Sequence, residues 1–181
     1  MRQPTLNYVS CPELWARPAS PQSDAAPLPK HRMAYWEWSN ANAADTPGHV
    51  IVCAHGLSRQ GRDFDVLARA LLERSQSPLR VVCPDVVGRG QSDWLKDPMG
   101  YQIPNYAADM LVLLAQLKPT TLDWVGTSMG GLIGMVVSGQ PGLPLPVPVR
   151  SLLLNDVGPT IQFSALQRIG QYLGKAGSFP S

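Results

Sequence analysis

The chain has 181 residues, 44% of them apolar, and a formal net charge of +2 from 15 basic and 13 acidic side chains. That is enough chain for one packed domain with its own core, and the interspersed, near-balanced charges leave no electrostatic footprint for nucleic acid or an anionic membrane, so neither is an expected partner. No stretch approaches the roughly 18 apolar residues that a membrane-spanning helix needs, and the three cysteines, Cys11, Cys53 and Cys83, form no disulfide or zinc spacing, which fits a soluble protein of the reducing cytoplasm.

Residues 1–30 read as an irregular leader, in which Pro12, Pro18, Pro21, Pro27 and Pro29 interrupt Ala, Ser and Gln without a core-forming period. Residues 32–38 are aromatic and alternate enough for a strand, and the turn-rich residues 40–48 separate it from 50–54, apolar throughout as a strand buried on both faces should be. Phe64, Leu67, Ala68, Leu71 and Leu72 recur at helical spacing behind Asp63, and residues 80–83 give another buried strand. An amphipathic helix follows, marked by Ile103, Tyr106, Met110, Leu113, Leu114 and Leu117 and opened by Pro104. It delivers the chain to an apolar run at 122–125, then to Gly126-Thr127-Ser128-Met129-Gly130, then to an apolar helix reaching Val137. Pro141, Pro144, Pro146 and Pro148 exclude a central strand before 151–154, which reads as the last buried strand. Residues 161–173 are a weaker helical candidate, and 174–181 trail off in glycine, serine and proline. This alternation implies an α/β fold, a doubly wound and mostly parallel sheet with helices on both faces, with its core in residues 31–159.

Gly126 to Gly130 is the stretch that carries chemistry. A serine on a sharp strand-to-helix turn collides with residues two positions away unless they lack a Cβ, and Gly126 and Gly130 meet that need. Ser128 is thereby the candidate nucleophile, and the following helix N-terminus would favour negative charge developing beside it. A five-residue pattern with two free positions also arises by chance, so its surroundings decide its weight. In a parallel sheet, functional loops gather at the carboxyl ends of the strands. Those ends hold His55-Gly56-Leu57, the segment running from Asp85 to Ser92, Ser128, and Asn155-Asp156.

The His-Gly pair, the Asp-x-x-Gly-x-Gly-x-Ser segment and the Gly-x-Ser-x-Gly elbow occur here in the order and at the separations of the alpha/beta-hydrolases, whose first two thirds the chain resembles over residues 33–159. The resemblance implies a cofactor-free serine hydrolase acting on a small-molecule ester or related acyl substrate. It makes Ser128 the nucleophile, and the backbone N–H groups of Leu57 and Met129 the oxyanion donors. Gly56 lets that backbone come close, and His55 shapes the loop instead of acting as base. Asp85, Gly88, Gly90 and Ser92 are expected to build a turn. The same stretch is a poor dinucleotide site, since Asp93 stands where a third glycine would be needed.

In that family the acid and the histidine follow the serine, and no histidine follows Ser128 here. His31, His49 and His55 all precede it; His49 should lie at the far end of the strand that leads to His55, roughly 20 Å away. Asp156 is a candidate acid, set against a loop-bonding role for Asn155 and Asp156 and against an acid beyond Ser181. The family also needs a cap and two more strands, so residues 160–181 are expected to open a cap, and the chain is expected to be truncated after its sixth strand. Two functions stay open: the nucleophile-bearing part of a serine hydrolase, and a non-catalytic truncated product. Carbon–carbon bond hydrolases and haloperoxidase-like relatives share the serine. No metal ligand set is expected. Arg59, Arg62 and Trp94 sit on loops that either flank the site or face solvent.

Overall fold

The computed structural model describes residues 3–15, 28–40, 48–160 and 163–171. Six strands form one sheet: β1 (Thr5–Pro12), β2 (Lys30–Ser39), β3 (His49–Ala54), β4 (Leu79–Pro84), β5 (Thr121–Thr127) and β6 (Val149–Asn155), in the spatial order β1-β2-β4-β3-β5-β6. From β4 through β3 and β5 to β6 every pairing is parallel, while β1 and β2 run antiparallel at one edge. The helices α1 (Asp65–Arg74), α2 (Ile103–Leu117), α3 (Met129–Gly139) and α4 (Phe163–Gly170) alternate with the later strands, as the pattern of apolar spacing predicts.

Helices cover both faces. On one, Met110, Leu113 and Leu114 of α2 and Ile133 and Val137 of α3 pack with Val50, Val52 and Trp124 of the sheet. On the other, Phe64 and Ala68 pack with Trp38, Cys53, Val81 and Cys83, and Leu71 and Leu72 close around them. Both α2 and α3 lie on the first face, whereas among the described residues the second is covered by α1 and the 3-10 turn Gly61–Phe64 that leads into it. Burial of this apolar surface, at about 25 cal/mol per Å², is what holds the layers together.

Two expectations need correction. Residues 1–30 are not irregular throughout, because Thr5–Pro12 form β1, pair with β2 from Thr5↔Glu37 to Pro12↔Lys30, and bury Val9 and Cys11. Only two of its side chains are buried, so its alternation is too short to stand out, and its hydrogen bonds come from a partner distant in sequence. β6 is not a buried strand either: none of its side chains is buried, and Leu153 is 55% exposed, because among the described residues only β5 lies beside it. The leader over 16–27, most of the turn at 41–47, the start of the predicted last helix at 161–162 and everything from 172 onward lie outside the described residues.

Candidate active site

Ser128 stands between β5 and α3 with φ 49° and ψ −114°, a backbone conformation that L residues adopt only when their surroundings impose it. Glycine makes the imposition feasible. A Cβ on Gly126 would lie 2.5 Å from Gly130 O, and one on Gly130 would lie 2.0 Å from Ala54 O, so both positions are closed to any side chain. Gly131 and Gly134, which the spacing argument overlooks, are equally tight against Val157 and Trp124 and bring α3 down onto the sheet. The elbow is then fastened on both sides: the Ser128 N–H donates to Asn155 O at 2.9 Å, and Ser128 O accepts from Gly131 and Leu132 at 2.9 and 3.1 Å. The α3 N-terminus, with its partial positive charge, begins at Met129 directly after the serine.

The β3 loop meets this elbow. A Cβ on Gly56 would be 3.7 Å from Ser128 Cβ, so the loop carrying Leu57 lies against the serine. His55 fixes that loop with both ring nitrogens: Nδ1–H donates to Gly56 O at 2.7 Å, and Nε2 accepts the Val86 N–H at 2.9 Å. The ring is 1% exposed, and burial lowers its pKa below the usual imidazole value against the opposing bond to Gly56. A neutral ring with both nitrogens engaged holds the loop and has no nitrogen left for Ser128.

The segment after β4 is built as a turn. The buried Asp85 carboxylate accepts from the Gly61 N–H at 2.7 Å, the Gln91 N–H at 2.9 Å and the Trp36 indole at 3.2 Å. Gly90, at φ +51°, lies so close to that carboxylate that a Cβ would stand 2.2 Å from it. Ser92 Oγ accepts the Ala34 N–H at 2.8 Å and donates to Asp85 O.

The carboxyl end of β6 divides its two polar residues. Asn155 belongs to the elbow, through its carbonyl on Ser128 and an Nδ2–H donated to Thr127 Oγ1 at 3.3 Å. Asp156 is exposed, in the left-handed region at φ 57°. The other two histidines are bound elsewhere, His49 Nε2 to Asp123 at 2.7 Å and His31 Nε2 to Asp109 at 3.0 Å. Arg59 pairs with Asp63 and, with Ser58, Gln60, Arg89 and Gly90, lines a polar cavity of about 440 Å³ beside the Leu57 loop. Arg62 turns away to pair with Asp65 and lie 4.7 Å from the Trp36 ring, and Trp94 is 77% exposed beside a separate hollow.

Two groupings were not visible in the sequence reading. Cys11, His31 and Asp109 are all buried, with potential ligand atoms within 4.8 Å of one another. Metal-ligand spacing is absent along the chain because His31 and Asp109 are 78 residues apart and the pairing Cys11↔His31 comes from β1, which was not anticipated. Burial raises the Asp109 pKa, opposed by the bond to His31, and pushes the Cys11 thiol well up. The other grouping is centred on Arg89, which joins the Leu57 loop to α3.

A family model described as alpha/beta hydrolase fold matches residues 49–172. A 3-hydroxybutyrate-oligomer hydrolase of Cupriavidus necator is 50% identical over 172 residues, covering 94% of this chain and 50% of that protein. Among solved structures, an alpha/beta hydrolase from Novosphingobium aromaticivorans superimposes with a TM-score of 0.72 at 31% identity, over 97% of this chain and 52% of that one. A hydrolase structure from Rickettsia typhi gives the same TM-score and identity over 93% and 53%. This chain therefore spans about half the length of these relatives.

Proposed function

The chain belongs to the alpha/beta hydrolase fold family, a hydrolase family, and from that premise we propose that it supplies the nucleophile and oxyanion hole of a serine esterase that cleaves short 3-hydroxyalkanoate oligomers. The observation that carries the reading is Ser128 in its forced conformation, with glycines closing the elbow and Gly56 against its Cβ. The substrate class comes from the Cupriavidus relative, whose name specifies 3-hydroxybutyrate oligomers.

In this mechanism Ser128 Oγ attacks the ester carbonyl, and the oxygen that becomes negative is held by the Leu57 and Met129 N–H groups. Such donors act on charge that exists only in the transition state, and each is worth about 3 to 4 kcal/mol. The hydroxyl end of one monomer leaves, and water releases the acyl group from the serine. Nothing in this chemistry calls for a cofactor. Asp156, at the end of β6, is the candidate acid within these residues. In the family's chain order the base is a histidine that follows the serine, and His31, His49 and His55, which precede it, are each engaged by other groups. We place the protein in the cytoplasm: its three cysteines are free and buried, and among the described residues no helix is long and apolar enough to cross a membrane.

The test is hydrolysis of 3-hydroxybutyrate dimer and trimer by the product of the complete gene, with monomer release as readout. Ser128→Ala is expected to cut kcat by on the order of 10⁶, and residues 1–181 alone to retain only a residual rate. Undiminished turnover by Ser128→Ala would overturn the mechanism. Full turnover by 1–181 would show that the base lies within it.

A further inference from the structure

Arg89 lies half-buried at the mouth of the site, and each of its hydrogen bonds ends on a neutral group. Nε donates to Leu57 O at 2.9 Å, Nη1 to Val87 O at 2.7 Å and to the Tyr106 hydroxyl at 3.2 Å, and Nη2 to Met129 Sδ at 3.9 Å. The guanidinium carbon is 5.7 Å from the Tyr101 ring centre and 5.3 Å from that of Tyr106. None of the ion pairs among the described residues involves it, unlike Arg59, Arg62 and Arg80, which are held by carboxylates. A cation without a carboxylate partner is thus fixed between the Leu57 loop and the side chain of Met129, the residue after Ser128, by carbonyls, a phenol, a thioether and aromatic faces.

Two of these four bonds end on the residues that carry the proposed oxyanion donors, the Leu57 carbonyl and the Met129 side chain. The Leu57 N–H shares its rigid peptide plane with Gly56 O, so whatever fixes that oxygen fixes the direction of the N–H. Gly56 O is held by His55 Nδ1–H at 2.7 Å and by the Arg59 N–H at 3.1 Å. The next carbonyl, Leu57 O, is held by Arg89. Leu57 is therefore clamped on both sides, by a neutral imidazole before it and a guanidinium after it. The same guanidinium touches the Met129 side chain at the start of α3, so one side chain lies between the two donor-bearing segments. A planar fork can satisfy two carbonyls and a hydroxyl together, whereas a lysine ammonium on its flexible stem cannot reproduce that pattern.

We propose that Arg89 is the positioning residue of the oxyanion hole: it locks the Leu57 peptide against the start of α3 and sets a fixed positive charge beside the oxygen that becomes negative. The proposal rests on the reading of Ser128 as nucleophile. Its signature is catalytic, because a misplaced donor weakens the transition state far more than the bound ester.

The test uses Arg89→Met and Arg89→Lys in the product of the complete gene, with Ser128→Ala in parallel. Three quantities are read: kcat and KM on a neutral ester, p-nitrophenyl butyrate; the same on 3-hydroxybutyrate dimer, which carries a carboxylate; and the inhibition constant of phenylboronic acid, which forms a tetrahedral adduct on an active serine. Arg89→Met is expected to lower kcat about 10- to 100-fold on both substrates, with KM within about twofold and boronate affinity falling in parallel. Arg89→Lys, which folds if Arg89→Met does not, is expected to lose nearly as much, because it keeps the charge and loses the fork. A raised KM confined to the dimer would make Arg89 a substrate anchor and overturn the proposal. So would unchanged boronate affinity and kcat with a lowered melting temperature, which is the mark of a purely structural role. If Ser128→Ala keeps full turnover, the nucleophile reading falls first. If Ser128→Ala is dead and the Arg89 variants are not impaired, only the Arg89 proposal falls.

Discussion

Each rim of the parallel strands carries a histidine and an aspartate, and the two rims use them in opposite ways. At the carboxyl rim, His55 and Asp85 are 1% and 0% exposed and bind backbone amides, a backbone carbonyl and an indole, never one another. At the amino rim, His49 and Asp123 bind each other at 2.7 Å, and Arg150, whose side chain is 59% exposed, binds the same carboxylate. The first arrangement fixes peptide planes, and so holds the β3 loop against Ser128. The second ties neighbouring strands together in water, where ion pairs contribute little. The same residue types are thus scaffold at one rim and trim at the other, and the contrast can be attacked from either side.

The strongest attack is on the scaffold. Gly130→Ala would place a methyl 2.0 Å from Ala54 O, where the nearest atoms are the Ala54 carbonyl and its Cβ and none can swing away. A loss of about 3 kcal/mol or more is expected, read as a shift of the urea midpoint, or failure to accumulate as folded protein. Gly139→Ala, nine residues along at the end of α3 with nothing within 4 Å, is the matched control and is expected to be neutral or slightly stabilising. Equal effects of the two would mean that the elbow is not shaped by the close approach of Gly130 to Ala54.

That control also marks how far the sequence could be read. The glycine spacing around Ser128 and the apolar runs at 50–54, 80–83 and 122–125 speak through local sterics and through burial on both faces, so β3, β4, β5, α2 and α3 and the elbow were legible. β1 was not, since its pairing with β2 is a tertiary event and only Val9 and Cys11 are buried. β6 looked buried because three consecutive leucines resemble a core strand, yet burial is set by what lies alongside. Arg89 sat unremarked inside a turn motif, because its partners Leu57, Tyr106 and Met129 come from the β3 loop, α2 and α3, which only the fold brings together. Asp109 gave a signal that went unused: it falls on the buried stripe of α2 with Tyr106, Met110 and Leu113, and a carboxylate on an apolar stripe demands a buried partner, which His31 supplies.

The next effect separates the rims by pH. Burial lowers the His55 pKa below its ordinary value of about 6.5, with Asp85 and Asp63 opposing and Arg89 assisting. Below that value the unfolded chain takes up a proton that the native ring refuses, so stability present above pH 6.5 is lost as pH falls toward the folded-state pKa, at no more than about 1.4 kcal/mol per pH unit. Urea midpoints at pH 7.5 and 5.0 should show the loss, and the His55 imidazole resonance should titrate below 6.5. A resonance titrating at or above 6.5 would remove His55 from the scaffold and place it among the solvent-exposed groups.

The smallest effect is expected from the amino rim, at Asp123. Partial burial raises its pKa, but the hydrogen bonds from Arg150 and His49 outweigh that and leave it below the usual carboxylate range. A depressed carboxyl contributes stability above its unfolded pKa of about 3.9 and loses it as pH falls through the folded value, so this contribution disappears well below the window in which His55 acts. Asp123→Asn should lower the melting temperature at pH 7 by no more than about 4 °C, by less in 1 M salt, and hardly at all near pH 2. It should leave the hydrolytic turnover proposed for Ser128 unchanged, because Asp123 sits at the opposite end of β5 from Ser128. A larger loss that persists in salt or acid would mean that the amino rim is also scaffold, and the division of labour between the two ends of these strands would have to be withdrawn.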